Sequence, residues 1–305
     1  MSCNFGSKIK LTIFGQSHSE AIGCVLDGIP AGIKLDIDRI EAFMARRAPG
    51  KNKISTARQE ADKPEIISGV VDGITCGAPI CAIIKNSDTR SNDYDKLRSL
   101  PRPSHSDFAA YMKHNGFNDI RGGGNFSGRM TAPLCFAGAV CTQILESKGI
   151  HIGAHIASVA DVDDDRFDAI AVSVNELNAV KAKELPVISD EKGAQMTAVI
   201  DAARSDGDSV GGVVECAVLG LPAGLGEPMF DSVESLLSHA LFSIPGIKGV
   251  EFGMGFGVGF VTGDKVQDEI YFDGTYKRST NNLGGIEGGM TNGEPLIVRA
   301  AMKPI

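Results

Sequence analysis

Two histidines occupy loops where a side chain can reach a bound ligand. His18 lies in Phe14-Gly15-Gln16-Ser17-His18-Ser19, directly behind an alternating apolar run. Imidazole titrates near neutrality, which suits proton transfer. His105 lies in Leu100-Pro101-Arg102-Pro103-Ser104-His105-Ser106-Asp107. The prolines stiffen the approach, and Asp107 is close enough in sequence to orient the ring. A third segment, Arg121-Gly122-Gly123-Gly124-Asn125-Phe126-Ser127-Gly128-Arg129, sets three glycines between two arginines ahead of a long helical candidate. Backbone N–H groups of such a run can turn toward an anion, and a helix N-terminus favours negative charge. Arginine meets carboxylate or phosphate with paired hydrogen bonds. A purely structural glycine loop is the plainer alternative. The loop Asn281–Gly293 is equally small-sided, suited to a flat polar ring or to a turn alone. Arg46, Arg47, Lys51, Lys53 and Arg58 add positive charge, which a solvated face would also explain. Together these residues describe a site for anionic ligands with two proton donors. Ser17 and His18 are neighbours and point apart on an extended chain, so they do not form a nucleophile–base pair.

Strand and helix signals must position those loops. Lys8–Phe14, Gly23–Asp27, Glu65–Val71, Pro79–Lys85 and Ala194–Asp201 read as strands. A helix from Ile37 to Arg47, capped by Asp36 or Asp38, is ended by Pro49-Gly50. Arg129–Lys148 is the longest helical candidate, and Asn175–Leu185 and Asp231–Ile244 are others. In Phe252–Gly263, glycines alternate with apolar residues, which in a strand would bare one face for close packing. The chain also resembles itself. Cys24-Val-Leu-Asp-Gly-Ile-Pro-Ala-Gly32 recurs as Cys216-Ala-Val-Leu-Gly-Leu-Pro-Ala-Gly224, each ahead of a helix and then a strand. This order predicts two related halves, about 8–90 and 195–275, within one domain spanning 1–305.

The 305 residues are 43% hydrophobic, enough for a large core, but only 6% aromatic, so aliphatic side chains must fill it. A net charge of −8 without a basic stripe argues against nucleic acid as a partner. Seven cysteines with no C-x-x-C pair read as buried free thiols of a cytoplasmic protein, not as zinc ligands. Nothing resembles a signal peptide or a membrane span.

Gly15-Gln-Ser-His18, Pro101-Arg-Pro-Ser-His105, Arg121-Gly-Gly-Gly124 and Leu283-Gly-Gly-Ile-Glu-Gly-Gly289 together resemble chorismate synthase. So do Arg204-Ser-Asp206, Gly226-Glu-Pro228 and Ala300-Ala-Met-Lys-Pro304, in the family's order from about residue 6 onward. The resemblance implies an α+β fold: a β-α-β sandwich of two pseudo-repeated halves, with helices packed between two mainly antiparallel sheets. It also implies a homotetramer. The implied reaction is 1,4-elimination of phosphate from 5-enolpyruvylshikimate 3-phosphate to give chorismate. Reduced FMN is required without net redox change, with NADPH as an external reductant. Position by position, His18 would protonate the departing phosphate and His105 the reduced flavin. Ser17, Arg47, Arg121 and Arg129 would bind substrate. Arg47 and Lys53 fall where relatives contact a nicotinamide cofactor. Asn125, Phe126, Ser127, Pro245, Gly246, Gly288 and Lys303 fall on flavin positions. Gln16 and Ser19 replace the family's usual acid and second glycine, and Asn125-Phe-Ser-Gly-Arg129 loses an arginine and an acid. The sequence stops at Lys303-Pro304-Ile305, where the family continues with a further arginine and an aspartate. That departure implies weak or absent turnover and the alternative of a catalytically impaired flavin- or anion-binding relative.

Overall fold

The structure, a computed structural model, describes residues 3–50, 60–87 and 100–305. The chain divides into two units, Met1–Ile144 and Leu145–Ile305.

Unit 1 contains β1 (Asn4–Phe5), β2 (Lys10–Gly15), β3 (Ala21–Asp27), α1 (Ile37–Arg47), β4 (Glu65–Ser68), β5 (Val70–Val71), β6 (Ile74–Thr75), β7 (Ile80–Lys85), α2 (Asp107–Lys113) and most of α3 (Thr131–Glu146). Its main sheet runs β1-β2-β3-β7-β4 and is antiparallel at every pairing. Alternation puts Ile22, Cys24 and Leu26 of β3 beside Ile80, Ala82 and Ile84 of β7 on one buried face. The helices cover that face at helical spacing, with Ile40 and Met44 from α1 and Ala132, Phe136 and Val140 from α3. Asp36 caps α1 by accepting the Arg39 N–H, and Gln143 of α3 holds the cap residue's N–H and carbonyl. Gly69, at φ 87°, divides the expected strand Glu65–Val71 into β4 and β5.

Unit 2 contains β8 (His151–Val159), β9 (Val162–Asp163), α4 (Val174–Lys181), α5 (Asp190–Ser205), β10 (Gly212–Leu219), α6 (Val233–Phe242), β11 (Ile247–Phe252), α7 (Gly263–Val266), β12 (Ile270–Asp273), β13 (Thr275–Arg278), β14 (Ile286–Glu287), β15 (Met290–Thr291) and β16 (Leu296–Met302). Its main sheet runs β11-β16-β10-β8-β9, again antiparallel. The architecture is α+β with antiparallel sheets. Three neighbouring strands correspond in order, β3-β7-β4 in the first sheet and β10-β16-β11 in this one, while the edges β1 and β9 differ.

The turns behind β3 and β10 are closed identically. Thr75 exchanges backbone hydrogen bonds with Gly32 and Ile33, donates its hydroxyl to Pro30 O and receives the Ile33 N–H. Thr291 does the same with Gly224, Leu225, Pro222 and Leu225. Each threonine ends a short hairpin, and each is followed by Gly and Pro leading into the returning strand.

Two expectations fail. Ala194–Asp201 is helical, inside α5, because Ser189 caps a run rich in Ala, Lys, Gln and Met and local propensity prevails. The alternating glycines are not a strand either. β11 ends at Phe252, Gly253 and Gly255 take positive φ, and a 3₁₀ segment follows at Gly255–Phe260. A β-carbon on Gly253 would lie 2.5 Å from Gly284 N, so the chain turns where only glycine fits.

Candidate active site

The candidate histidines sit beside one another's neighbouring glycines. Gly122, Gly123 and Gly124 have φ of 57°, 82° and 56°, a left-handed run that L side chains resist. A β-carbon on Gly122 would lie 2.6 Å from His18 Nδ1 and 2.7 Å from Ser17 Oγ. One on Gly123 would lie 3.1 Å from His105 Cε1 and 3.2 Å from its Nε2. Gly122 and Gly123 are therefore bare because imidazole rings lie against them, and Gly124 because the Asp119 carbonyl does. The loop is not the start of the long helix: α3 begins at Thr131, behind a 3₁₀ turn at Gly128–Met130. The helix-terminus argument from the sequence does not apply to Gly122–Gly124.

The loop carrying His18 follows β2 and is closed by Ser19, whose hydroxyl accepts from Gln16 N–H at 2.9 Å and lies 2.8 and 2.7 Å from the Gln16 and Ala21 carbonyls. Ser17 N–H donates to Gly124 O at 3.0 Å, binding the loop to the glycine run. Against the expectation that the Ser17 and His18 side chains point apart, His18 Nδ1 is 3.2 Å from Ser17 Oγ, because the segment is a turn and not an extended strand. His105 follows Ser104, held at φ 57°. Its Nδ1 meets Asp107 Oδ1 at 2.5 Å and Arg102 Nη2 at 3.1 Å. The Asp107 carboxylate can only accept and the Arg102 guanidinium can only donate. The shorter contact has Nδ1–H donating to Asp107, so the approach of Arg102 Nη2 is not then a hydrogen bond, and Nε2 is left toward Gly123. Arg102 grips the same carboxylate through Nε at 2.8 Å and Nη2 at 2.9 Å. Those hydrogen bonds hold the Asp107 carboxyl well below the usual carboxylate range.

A buried ionic cluster lies in the same unit. Asp62, with a side chain of 0% exposure, accepts from Arg47 Nη1 with one oxygen and from Arg129 Nη1 with the other. Arg47 also reaches Gly128 O and Thr131 Oγ1, each at 3.3 Å. Arg129 donates Nε–H to Asn86 Oδ1 at 3.0 Å, and its Nη2 is 3.8 Å from Glu60 Oε2. That Nη2 is buried and has no hydrogen-bond partner. Glu60 is held by Ser87 through N at 3.0 Å and Oγ at 2.7 Å. An unsatisfied buried guanidinium nitrogen is costly unless something anionic arrives to meet it.

Arg121 is held by the Asp119 carboxylate through Nε at 2.9 Å and Nη2 at 2.8 Å, which pulls that carboxyl below its ordinary range. Asn125, Phe126 and Ser127 continue the glycine run, and Ser127 Oγ receives the Arg129 N–H at 3.3 Å. Lys53 lies outside the described residues, as do Lys51 and Arg58. The remaining candidates belong to unit 2. Gly246, beside Pro245, accepts the Lys303 N–H at 3.0 Å, and Gly288 turns the β14–β15 hairpin at φ 58°. Burial pushes the Cys24 thiol up to about 12, which removes it as a nucleophile, but the expectation of seven buried thiols fails for Cys3 and Cys76, which are exposed.

The family model described as chorismate synthase matches residues 9–305. The chain belongs to the chorismate synthase family. A chorismate synthase of Korarchaeum cryptofilum is 41% identical over 98% of this chain and 82% of its own length. One of Chitinophaga pinensis is 44% identical over 99% of this chain and 80% of its own length. A solved structure entitled crystal structure of chorismate synthase has a TM-score of 0.81 at 32% identity, covering 98% of this chain and 84% of that one. The chain is thus a lyase of aromatic amino acid biosynthesis, and no comparison supports the alternative of an impaired relative.

Sequence reasoning missed Glu60, Asp62, Asn86, Arg102 and Asp119. For Glu60, Asp62 and Asp119 the signal was indirect, since several arginines brought to one site require counter-charges; Asn86 and Arg102 gave none. Nothing local in Glu60-Ala61-Asp62 or at the end of β7 shows which residues supply them.

Proposed function

We propose that unit 1 carries the elimination of phosphate from 5-enolpyruvylshikimate 3-phosphate, with His18 as the acid for the departing phosphate and His105 as the acid beside reduced FMN. The supporting observation is that both rings rest on consecutive glycines, Gly122 and Gly123, and that Asn86 ties the His18 loop to a buried Arg129 whose Nη2 lacks a hydrogen-bond partner. Arg129 and Arg47 then meet the substrate's anionic groups, with Ser17 beside His18 and Arg121 at the rim. What unit 1 offers a flavin is the half-buried run Asn125, Phe126 and Ser127, while Gly123 itself is buried under the His105 ring. The chemistry that reduced FMN supplies when bound is electron density to the substrate ring as phosphate leaves. Asp107 orients the ring through Nδ1–H, so the proton that His105 gives as an acid is the Nε2 proton of its doubly protonated form, and Arg102 keeps Asp107 ionised. Pro245, Gly246, Gly288 and Lys303, all in unit 2, keep the flavin-contact role that the family resemblance gives them, and Arg47 with Lys53 contacts NADPH. The recurrent Thr75 and Thr291 turns are read as an internal duplication within one functional domain. A homotetramer is supported by exposed aromatic side chains of unit 2, among them Phe256, Phe260, Phe272 and Tyr276. A cytoplasmic location is supported by seven free cysteines. Among the described residues no helix is long and apolar enough to cross a membrane.

The test is anaerobic turnover of 5-enolpyruvylshikimate 3-phosphate with chemically reduced FMN, following chorismate. Product formation that is lost in His18→Ala is expected. A folded chain that binds neither FMN nor the substrate would overturn the assignment.

A further inference from the structure

We propose that Asn86 is a positioning residue that couples Arg129 to the His18 loop, an inference that rests on the roles assigned to those two residues above. Asn86 stands directly behind β7, its backbone N–H donating to Glu20 O at 3.0 Å. Its side chain faces two ways. Nδ2 donates to Gln16 O at 3.1 Å and to Ser19 O at 2.8 Å, the residues on either side of Ser17-His18. Oδ1 accepts from Arg129 Nε at 3.0 Å. The amide orientation is fixed by its neighbours: a flipped amide would set its NH₂ against a guanidinium and its oxygen against two carbonyls. Only a side chain with two donors on one branch and an acceptor on the other satisfies both ends. Aspartate keeps the acceptor and loses the donors, and alanine loses everything.

The coupling has a chemical purpose. A phosphate that is to leave as a protonated group needs its anionic oxygens held by the arginine and its departing oxygen within reach of the histidine. Those groups stand 111 residues apart by their numbers, at 18 and 129. Asp62 fixes Arg129 from the far side, through Nη1, and Ser17 N–H fixes the histidine loop to Gly124. Asn86 joins the two halves directly, so a shift of the guanidinium is passed to the loop through a single rigid amide. Displacing a catalytic group by about 1 Å is enough to cost on the order of 10²-fold in rate, so such a link is worth keeping.

The experiment compares the full chain with Asn86→Asp and Asn86→Ala in anaerobic steady-state kinetics with reduced FMN. In parallel, hydrogen exchange of the unliganded proteins is followed by mass spectrometry. Asn86→Asp is expected to lower kcat roughly 10-fold with KM within about 3-fold, because two hydrogen bonds to the loop are lost while the arginine keeps its acceptor. Asn86→Ala is expected to lower kcat and also raise KM roughly 10-fold. Peptides covering 14–21 are expected to exchange faster in both variants, while peptides from β3 and α3 stay at wild-type protection. Arg129→Lys, which removes the Nε–H, is expected to loosen 14–21 as well, and to add nothing when combined with Asn86→Ala. Wild-type exchange at 14–21 in both Asn86 variants, or additive effects in the double variant, overturns the coupling. If the wild-type chain itself gives no turnover, the functional assignment fails, and the exchange data still decide the coupling.

Discussion

Units 1 and 2 each bury a cluster of charged side chains, and the two are built on different plans. In unit 2, His155 lies on β8 with both ring nitrogens 3.1 Å from a carboxylate, Asp164 on one side and Glu215 on the other. Asp164 also accepts from the Ile188 and Ser189 N–H groups. Glu215 accepts from the Phe167 N–H and from Arg299, which continues to Glu251. His155, Glu215, Arg299 and Glu251 stand on adjoining strands, and Glu215, Arg299 and Glu251 fall in register across β10, β16 and β11. No buried side-chain atom of these residues lacks a partner. In unit 1, Arg47, Asp62, Asn86 and Arg129 come from a helix end and from loops, and Arg129 Nη2 is left over. A fully paired network on strands stiffens a sheet. A network with one buried donor to spare is ready for a ligand. The same chemistry serves rigidity in one unit and recognition in the other, according to what remains unsatisfied.

The contrast can be broken at its strongest point first. Glu215→Ala removes a partner from both His155 and Arg299, and should cost about 3–5 kcal/mol of unfolding free energy, the scale for breaking a buried pair. Urea denaturation measures it, and turnover per folded molecule should stay near wild type. A kinetic defect without a stability defect would reverse the roles given to the two clusters. His105→Ala should retain FMN binding and lower turnover by roughly 10²-fold or more, the scale of general acid–base catalysis. Unchanged turnover would remove His105 from the chemistry. Arg129→Ala should weaken substrate binding by about 1.5–3 kcal/mol, as for hydrogen bonds to charged groups. Calorimetric titration of the substrate analogue shikimate 3-phosphate reads the change, and unaltered affinity would mean that the spare Nη2 is not a ligand donor.

The smallest expected effect concerns acid. Asp107 is held below the carboxylate range by hydrogen bonds from Arg102. Burial alone would raise Glu215, but hydrogen bonds from His155, the Phe167 N–H and Arg299 outweigh it, so its net shift is also downward. A depressed carboxyl contributes stability above its unfolded pKa, near 4, and loses it as pH falls through the folded value. Stability should therefore be flat from about pH 5 upward on account of these groups and fall below about pH 4. Asp107→Asn should lessen the acid slope in chemical denaturation performed at several pH values. An identical slope would show that Asp107 is as easily protonated folded as unfolded.

The sequence by itself carried the family, because Gly15–His18, the segment ending at His105, Arg121–Gly124 and Leu283–Gly289 recur in fixed order. It also carried α1 with a cap at Asp36 or Asp38, of which the structure uses Asp36, and strands β2, β3 and β7, where period-two alternation reports one buried face. Those features are local: a cap, a turn or a strand face is written within a few neighbouring residues. Ala194–Asp201 and Phe252–Gly263 were misread because an apolar run of that length fits helix or strand, and spacing does not reveal a positive φ. The reason for Gly122 and Gly123 was also invisible, since the rings that exclude a β-carbon there come from His18 and His105, outside the glycine segment. Asp62 and Asn86 were decided by the tertiary structure alone. A counter-charge or a bridging amide is chosen by what packs around it in space, and that packing has no period in the sequence.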